Sequence, residues 1–215
     1  PLARVVAQYG EIKKPWKRYQ IGPVWRAENT QKGRYREFYQ CDADTVGTAN
    51  PLADAEILAL AAGTLRKLGV NDFIIRVNSR EIISAFYDSL ALSPEAKTKA
   101  IRNVDKIDKI GKEGVAEDCK KDGISDSDIK DIIAFAEVSI DVINNREDLQ
   151  KVVADFPAIK DAVEKLIGIV ESAYGMASGT RFIIDFSIAR GLDYYTGMIF
   201  ETNLTALPAI GSVLS

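Results

Sequence analysis

Residues Lys17 to Gly47, KRYQIGPVWRAENTQKGRYREFYQCDADTVG, constrain the fold of this chain more than any other stretch. They read as two extended segments joined by a basic, glycine-containing loop. Alternate side chains of a strand share a face, so Arg26 and Glu28 fall together in the first segment. In the second, Arg34, Arg36, Phe38, Gln40, Asp42 and Asp44 all have one parity. Arginine forks on such a face suit phosphate oxygens, and Phe38 suits the face of a base such as adenine. Glu28 can accept from an exocyclic amine, and the Gln40–Asp44 end can receive an α-ammonium group. A merely solvated face would not normally carry a phenylalanine between Arg36 and Gln40. The competing reading is an exposed antiparallel hairpin with ordinary cross-strand ion pairs.

What the chain lacks narrows the chemistry further. It contains no histidine, which excludes Ser-His-Asp and Cys-His catalysis and HExxH metal sites within these 215 residues. Cys41 and Cys119 are far apart with no CxxC spacing, which argues against a zinc site or disulfide scaffold and fits a reducing cytosol. No apolar run reaches the roughly 18 residues of a membrane span. The net charge of −3 is too small for a nonspecific polyanion binder, yet it is unevenly spread. Residues 1–40 carry nine Lys and Arg against three Glu, so positive charge concentrates where the hairpin lies. A first residue other than Met points to a fragment or a processed chain.

Beyond the hairpin, Asn50-Pro51 predicts a helix start, and Leu58, Ala61, Ala62 and Leu65 form its apolar stripe to about Leu68. Gly69 supplies the stop. Asp72 to Asn78 alternates Phe73, Ile75 and Val77 and reads as a strand, with Ser79 capping a helix through Leu90. Ser93-Pro94 opens another helix, and charged helical patterns continue through Asp128–Asn144 and Pro157–Tyr174. No strand is expected between about residues 80 and 180, where the charged residues read as solvated helix faces. Strand character returns in RFIIDFSI, Arg181 to Ile188, and again in MIFET after a turn. The layout is a mixed sheet interrupted by helices, an α+β arrangement.

That turn, ARGLDYYTG, is the second chemistry-bearing segment. Two glycines permit a tight bend that places Arg190, Tyr194 and Tyr195 around it. Arg190 follows an apolar stretch and so calls for an anionic partner, either Asp193 or a ligand. Neither segment is a Walker loop or a GxGxxG fingerprint.

At this point two long motifs in fixed order resemble one family. RYQIGPVWRAE and QKGRYREFYQCD resemble motif 2 of class II aminoacyl-tRNA synthetases in the form used by histidyl-tRNA synthetases, and ARGLDYYTG resembles that family's histidine signature. LADAEILALAAGTLRKLG and IRNVDKIDKIG resemble its intervening segments, so the resemblance covers nearly the whole chain. It implies an α+β catalytic core of antiparallel sheet flanked by helices, not a Rossmann fold. Residues 1–83 would hold the motif 2 part and 175–215 the histidine-signature part. Residues 84–174 would form an all-α insertion domain that approaches the tRNA acceptor arm.

The resemblance also implies roles. Arg26 would contact the ATP α-phosphate, and Arg190 would face it from the opposite side and border the histidine. Glu28 would meet the adenine end, Arg34 and Arg36 phosphates or the tRNA end, and Phe38 the adenine ring. Gln40 and Asp44 would hold the ammonium group of L-histidine, with Tyr194 and Tyr195 lining the imidazole pocket. ATP would bring Mg²⁺ on its phosphates, with no metal site on the protein itself. The family's other implications are tRNA(His) as partner, a homodimer of the full-length protein, a cytoplasmic or organellar location and no membrane association.

The family pattern would place a histidine-contacting strand and motif 1 before Pro1, and motif 3 and an anticodon-binding domain beyond IGSVLS. The isolated chain is therefore expected neither to form histidyl-adenylate nor to charge tRNA. The alternative is a noncatalytic paralogue, a histidine or tRNA sensor or regulatory subunit. Such paralogues tend to lose the motif 2 arginines and the insertion, whereas Arg26, Arg34, Arg36 and Arg190 are all present here.

Overall fold

The computed structural model describes residues 2–27, 29–30, 35–189 and 194–215. The chain divides into two compact units, residues 1–57 and 58–215.

The first unit holds a short helix α1 (Leu2–Gln8) and two ten-residue strands, β1 (Trp16–Trp25) and β2 (Glu37–Val46). The strands pair antiparallel without a slip, from Trp16 opposite Val46 to Trp25 opposite Glu37. Burial alternates along β2 with the expected period of two: Phe38, Gln40, Asp42 and Asp44 are half-buried while Tyr39, Cys41 and Ala43 are exposed. The opposite face carries exposed Tyr19, Ile21, Trp25 and Tyr39. At the loop end of the pair the Trp25 indole N–H donates to Glu37 at 3.0 Å, and the Arg26 amide donates to the Arg36 carbonyl at 2.9 Å.

Helix α2 (Leu52–Lys67) begins where Asn50-Pro51 predicts it, with the Asn50 side chain accepting from the Leu52 amide at 3.0 Å. Its stripe of Leu58, Ala61, Ala62 and Leu65 is buried as the spacing requires. Gly69 ends it at φ +81°, a left-handed conformation that glycine adopts without a Cβ penalty.

The second unit is built on a five-stranded sheet whose edge strand β4 (Ser139–Asp141) begins the order β4-β5-β3-β6-β7. The central strand β3 (Phe73–Ser79) runs parallel to β5 (Arg181–Asp185) and antiparallel to β6 (Met198–Leu204), which pairs with β7 (Ser212–Leu214). A parallel neighbour requires a crossover. Here the crossover is a run of six helices: α3 (Arg80–Ser89), α4 (Pro94–Val104), α5 (Ile107–Lys121), α6 (Asp126–Ala136), α7 (Arg146–Asp155) and α8 (Lys160–Met176). Ser79, Ser93 and Ser125 each cap the helix that follows by accepting a backbone N–H.

Within the largely aliphatic core of this unit sits an aromatic cluster. Phe86 of α3 stacks on Phe135 of α6 with centroids 3.9 Å apart, and Phe186 stacks on the same ring at 4.7 Å. Phe156 meets Phe86 and Phe135 edge-on at 5.4 and 5.9 Å.

Two local expectations change. The chain from Asp128 to Asn144 is not one helix: α6 stops at Ala136 and a short strand β4 (Ser139–Asp141) follows, antiparallel to β5 at the sheet edge. Three residues are too few to show a period of two against helical flanks, and the partner strand supplies the hydrogen bonds that define it. The strand predicted over Arg181–Ile188 ends at Asp185, whose carboxylate turns back to accept the Ser187 amide at 3.0 Å. Helix α5 is broken at Gly111, where φ +68° and ψ 174° suit only glycine.

Candidate functional site

The half-buried face of the hairpin gathers a linked set of polar groups. The guanidinium of Arg26, one residue past β1, donates through Nη2 to Gln40 Oε1 at 2.6 Å and lies over the Phe38 ring, 5.3 Å from its centroid. Gln40 in turn donates through Nε2 to Asp42 Oδ1 at 2.7 Å. Asp44 is paired across the strands with Arg18 at 3.3 Å, and Arg18 also donates to Gln20 at 3.0 Å. The row therefore runs from cation and ring at the loop end of the hairpin to carboxylates toward its open end, with same-face neighbours about 6.6 Å apart, two residues of strand rise.

This arrangement brings Arg26, Phe38, Gln40 and Asp44 onto one surface, as the parity of the sequence requires. Arg36 is exposed beside the first β2 residue, and its backbone pairs with that of Arg26. Glu28, Arg34 and Arg190 lie outside the described residues. Tyr194 and Tyr195, in the second unit, are exposed and meet edge to face with centroids 5.2 Å apart.

Two further residues take part in this surface. Asp42 lies between Gln40 and Asp44 and orients the Gln40 amide. Arg18 shares the parity of Arg26, but it takes hold of the Asp44 carboxylate only because the strand register sets the two opposite each other. A carboxylate keeps lone pairs after one such contact, so Asp42 and Asp44 retain acceptor capacity for an ammonium group.

Among known proteins, the family profile described as histidyl-tRNA synthetase matches residues 1–208. The chain belongs to the histidyl-tRNA synthetase family. A histidine–tRNA ligase of Rhodopirellula baltica is 42% identical over 220 residues, covering 100% of this chain and 49% of the relative. The crystal structure of histidyl-tRNA synthetase from Nostoc sp. PCC 7120 superposes with a TM-score of 0.87 at 31% identity, over 99% of this chain and 50% of that one. A Bacillus halodurans structure titled as an ATP phosphoribosyltransferase regulatory subunit/histidyl-tRNA synthetase shares the fold, with a TM-score of 0.80 at 19% identity over 95% of this chain and 52% of that one. The chain thus spans about half the length of the curated synthetases it matches. Among the described residues, no helix is long and apolar enough to cross a membrane.

Proposed function

We propose that the protein carrying these residues is a histidine–tRNA ligase. It activates L-histidine with ATP and transfers the histidyl group to tRNA(His). The single observation that carries this reading is the hairpin face: a synthetase family member places Arg26, Phe38, Gln40 and Asp44 in one row. Between them these side chains offer partners for a phosphate, a purine ring and an ammonium group, the three parts of an aminoacyl-adenylate that need recognition.

In the first step the histidine carboxylate oxygen attacks the ATP α-phosphorus and the bond to pyrophosphate breaks. Arg26 and Arg190 stabilise the charge that develops on that phosphorus and align the attack. Mg²⁺ would be held by ATP rather than by side chains of the described residues, and would supply charge neutralisation on the phosphates. Phe38 stacks on adenine, Glu28 accepts from its amine, and Arg34 and Arg36 meet phosphates or the tRNA end. Gln40 and Asp44 hold the α-ammonium group, and Tyr194 and Tyr195 border the imidazole. In the second step a hydroxyl of the terminal ribose attacks the acyl carbon and AMP leaves. A pocket that hydrogen-bonds imidazole leaves its own polar groups unpaired with any other amino acid, which is the source of discrimination.

In the same reading, residues 84–174 form the insertion domain that approaches the tRNA acceptor arm. The full-length protein acts as a cytoplasmic homodimer. The regulatory alternative draws on the Bacillus halodurans fold match, but the more similar relatives are named ligases. Amino-acid-dependent ATP–pyrophosphate exchange by the full-length protein, run with each amino acid in turn, separates the two. Exchange with histidine alone is expected, with none from the isolated 215-residue chain. Saturable histidine binding without exchange by the full-length protein would instead establish a sensor.

A further inference from the structure

The residues Arg76, Asn78 and Arg80, at the end of β3 and the start of α3, grip both ends of the histidine-signature segment. The Asn78 side chain is fully buried, and its Nδ2 donates to two carbonyls of one turn, Phe186 at 3.3 Å and Ile188 at 2.9 Å. Its Oδ1 accepts from the Ser79 amide at 2.8 Å, so both halves of the amide are engaged. Two residues earlier, Arg76 donates through Nε to Asp185 Oδ2 at 2.8 Å and through Nη2 to Ser187 Oγ at 2.9 Å. Asp185 also accepts from the Ser187 amide and hydroxyl at 3.0 and 2.6 Å. On the far side of the segment, the Arg80 amide donates to the Gly197 carbonyl at 2.9 Å.

Every one of residues 185, 186, 188 and 189 is buried, so this turn is held from within the fold rather than from solvent. Burial works against the Arg76 charge, but Asp185 and then Asp108 more than offset it and raise its pKa, so the fork stays ionised. The third contact of that fork, to Asp108 of α5 at 3.3 Å, ties the same turn to the helical run.

The chemistry of these contacts is demanding. Only a primary amide offers two N–H donors and an acceptor on so short a stem. An aspartate in place of Asn78 would lack the donors, and an alanine would leave two carbonyls and one N–H unsatisfied. A lysine in place of Arg76 could not reproduce the planar fork that spans Asp185 and Ser187.

We propose that Asn78 and Arg76 are positioning residues for histidine recognition. They fix the Asp185–Ala189 turn from which the signature departs, as the Arg80 amide fixes Gly197 where it returns beside Tyr194 and Tyr195. They touch no substrate and act through that backbone. This rests on the reading of the full-length protein as a histidine-activating enzyme.

The test uses the full-length protein, with the melting temperature and the KM values for histidine and ATP measured in pyrophosphate exchange. Asn78→Ala is expected to raise the KM for histidine on the order of ten- to a hundred-fold, with the KM for ATP nearly unchanged. Ser187→Ala, which removes one arm of the Arg76 fork and the hydroxyl's bond to Asp185, is the milder companion should Asn78→Ala fail to fold. It should move the same constant in the same direction by less. Val115→Ala, a buried change among the helices, serves as a control that lowers the melting temperature without raising the histidine KM. Asn78 and Ser187 variants that melt earlier yet keep the wild-type histidine KM would overturn the proposal and leave the enzymatic reading intact. A wild-type protein with no histidine-dependent exchange would instead remove that reading, and the positioning role with it.

Discussion

Replacing Arg26 with alanine is expected to lower histidine-dependent ATP–pyrophosphate exchange by the full-length protein by about 10²–10³-fold. The guanidinium stands at the end of β1 where it can address both a phosphate and the Phe38 ring, 5.3 Å away, while its Nη2 contact to Gln40 links it to the ammonium end of the row. In the proposed mechanism, removing it costs charge stabilisation at the phosphorus and leaves the Gln40 amide held, among the described residues, by Asp42 alone. Arg26 is exposed, so the stability cost should stay below about 1 kcal/mol. Arg26→Lys keeps the charge but not the planar fork and should recover only part of the rate. Exchange by Arg26→Ala within a few-fold of wild type would show that this residue does not face the reacting phosphate.

The largest stability effect is expected at Phe135. This ring is 1% exposed and lies between Phe86 and Phe186, with Phe156 and Tyr87 at its edges. It therefore joins α3, α6, the chain entering α8 and the turn after β5. Truncation to alanine removes a large apolar surface and leaves a cavity that the surrounding rings cannot refill without leaving their stacked geometry. The expected loss is about 3–5 kcal/mol, or roughly 6–20 °C in melting temperature for a unit of this size. Because Phe186 belongs to the turn held by Asn78, activity should fall as well. A loss under about 1 kcal/mol in denaturant titration would mean that the stack carries little of the packing energy.

The sequence made the hairpin and most helices legible because their signals are local. Parity alone places Phe38, Gln40, Asp42 and Asp44 together, and Ser79 and Ser93 mark helix starts that the fold uses. What it hid is non-local. Arg18 enters the candidate surface only once the register sets it opposite Asp44. Strand β4 exists because β5 offers an edge to Ser139–Asp141, although Val138, Ile140 and Val142 do alternate. The clearest case is β3: Phe73, Ile75 and Val77 suggest a strand with one wet face, on which Arg76 and Asn78 would be ordinary polar residues. In the fold both sides of that strand are covered, so the same residues become inward-facing donors, and their partners lie 109 and 110 positions away in sequence.

The central claim is that the Phe38–Asp44 face of the hairpin is the adenylate site. It is tested most directly by a crystal structure of the full-length protein with a non-hydrolysable histidyl-adenylate analogue. The expected result places the adenine against the Phe38 ring, the phosphate on the Arg26 guanidinium and the α-amino group among Gln40, Asp42 and Asp44. An analogue bound at full occupancy without touching Arg26 or Phe38 would contradict it.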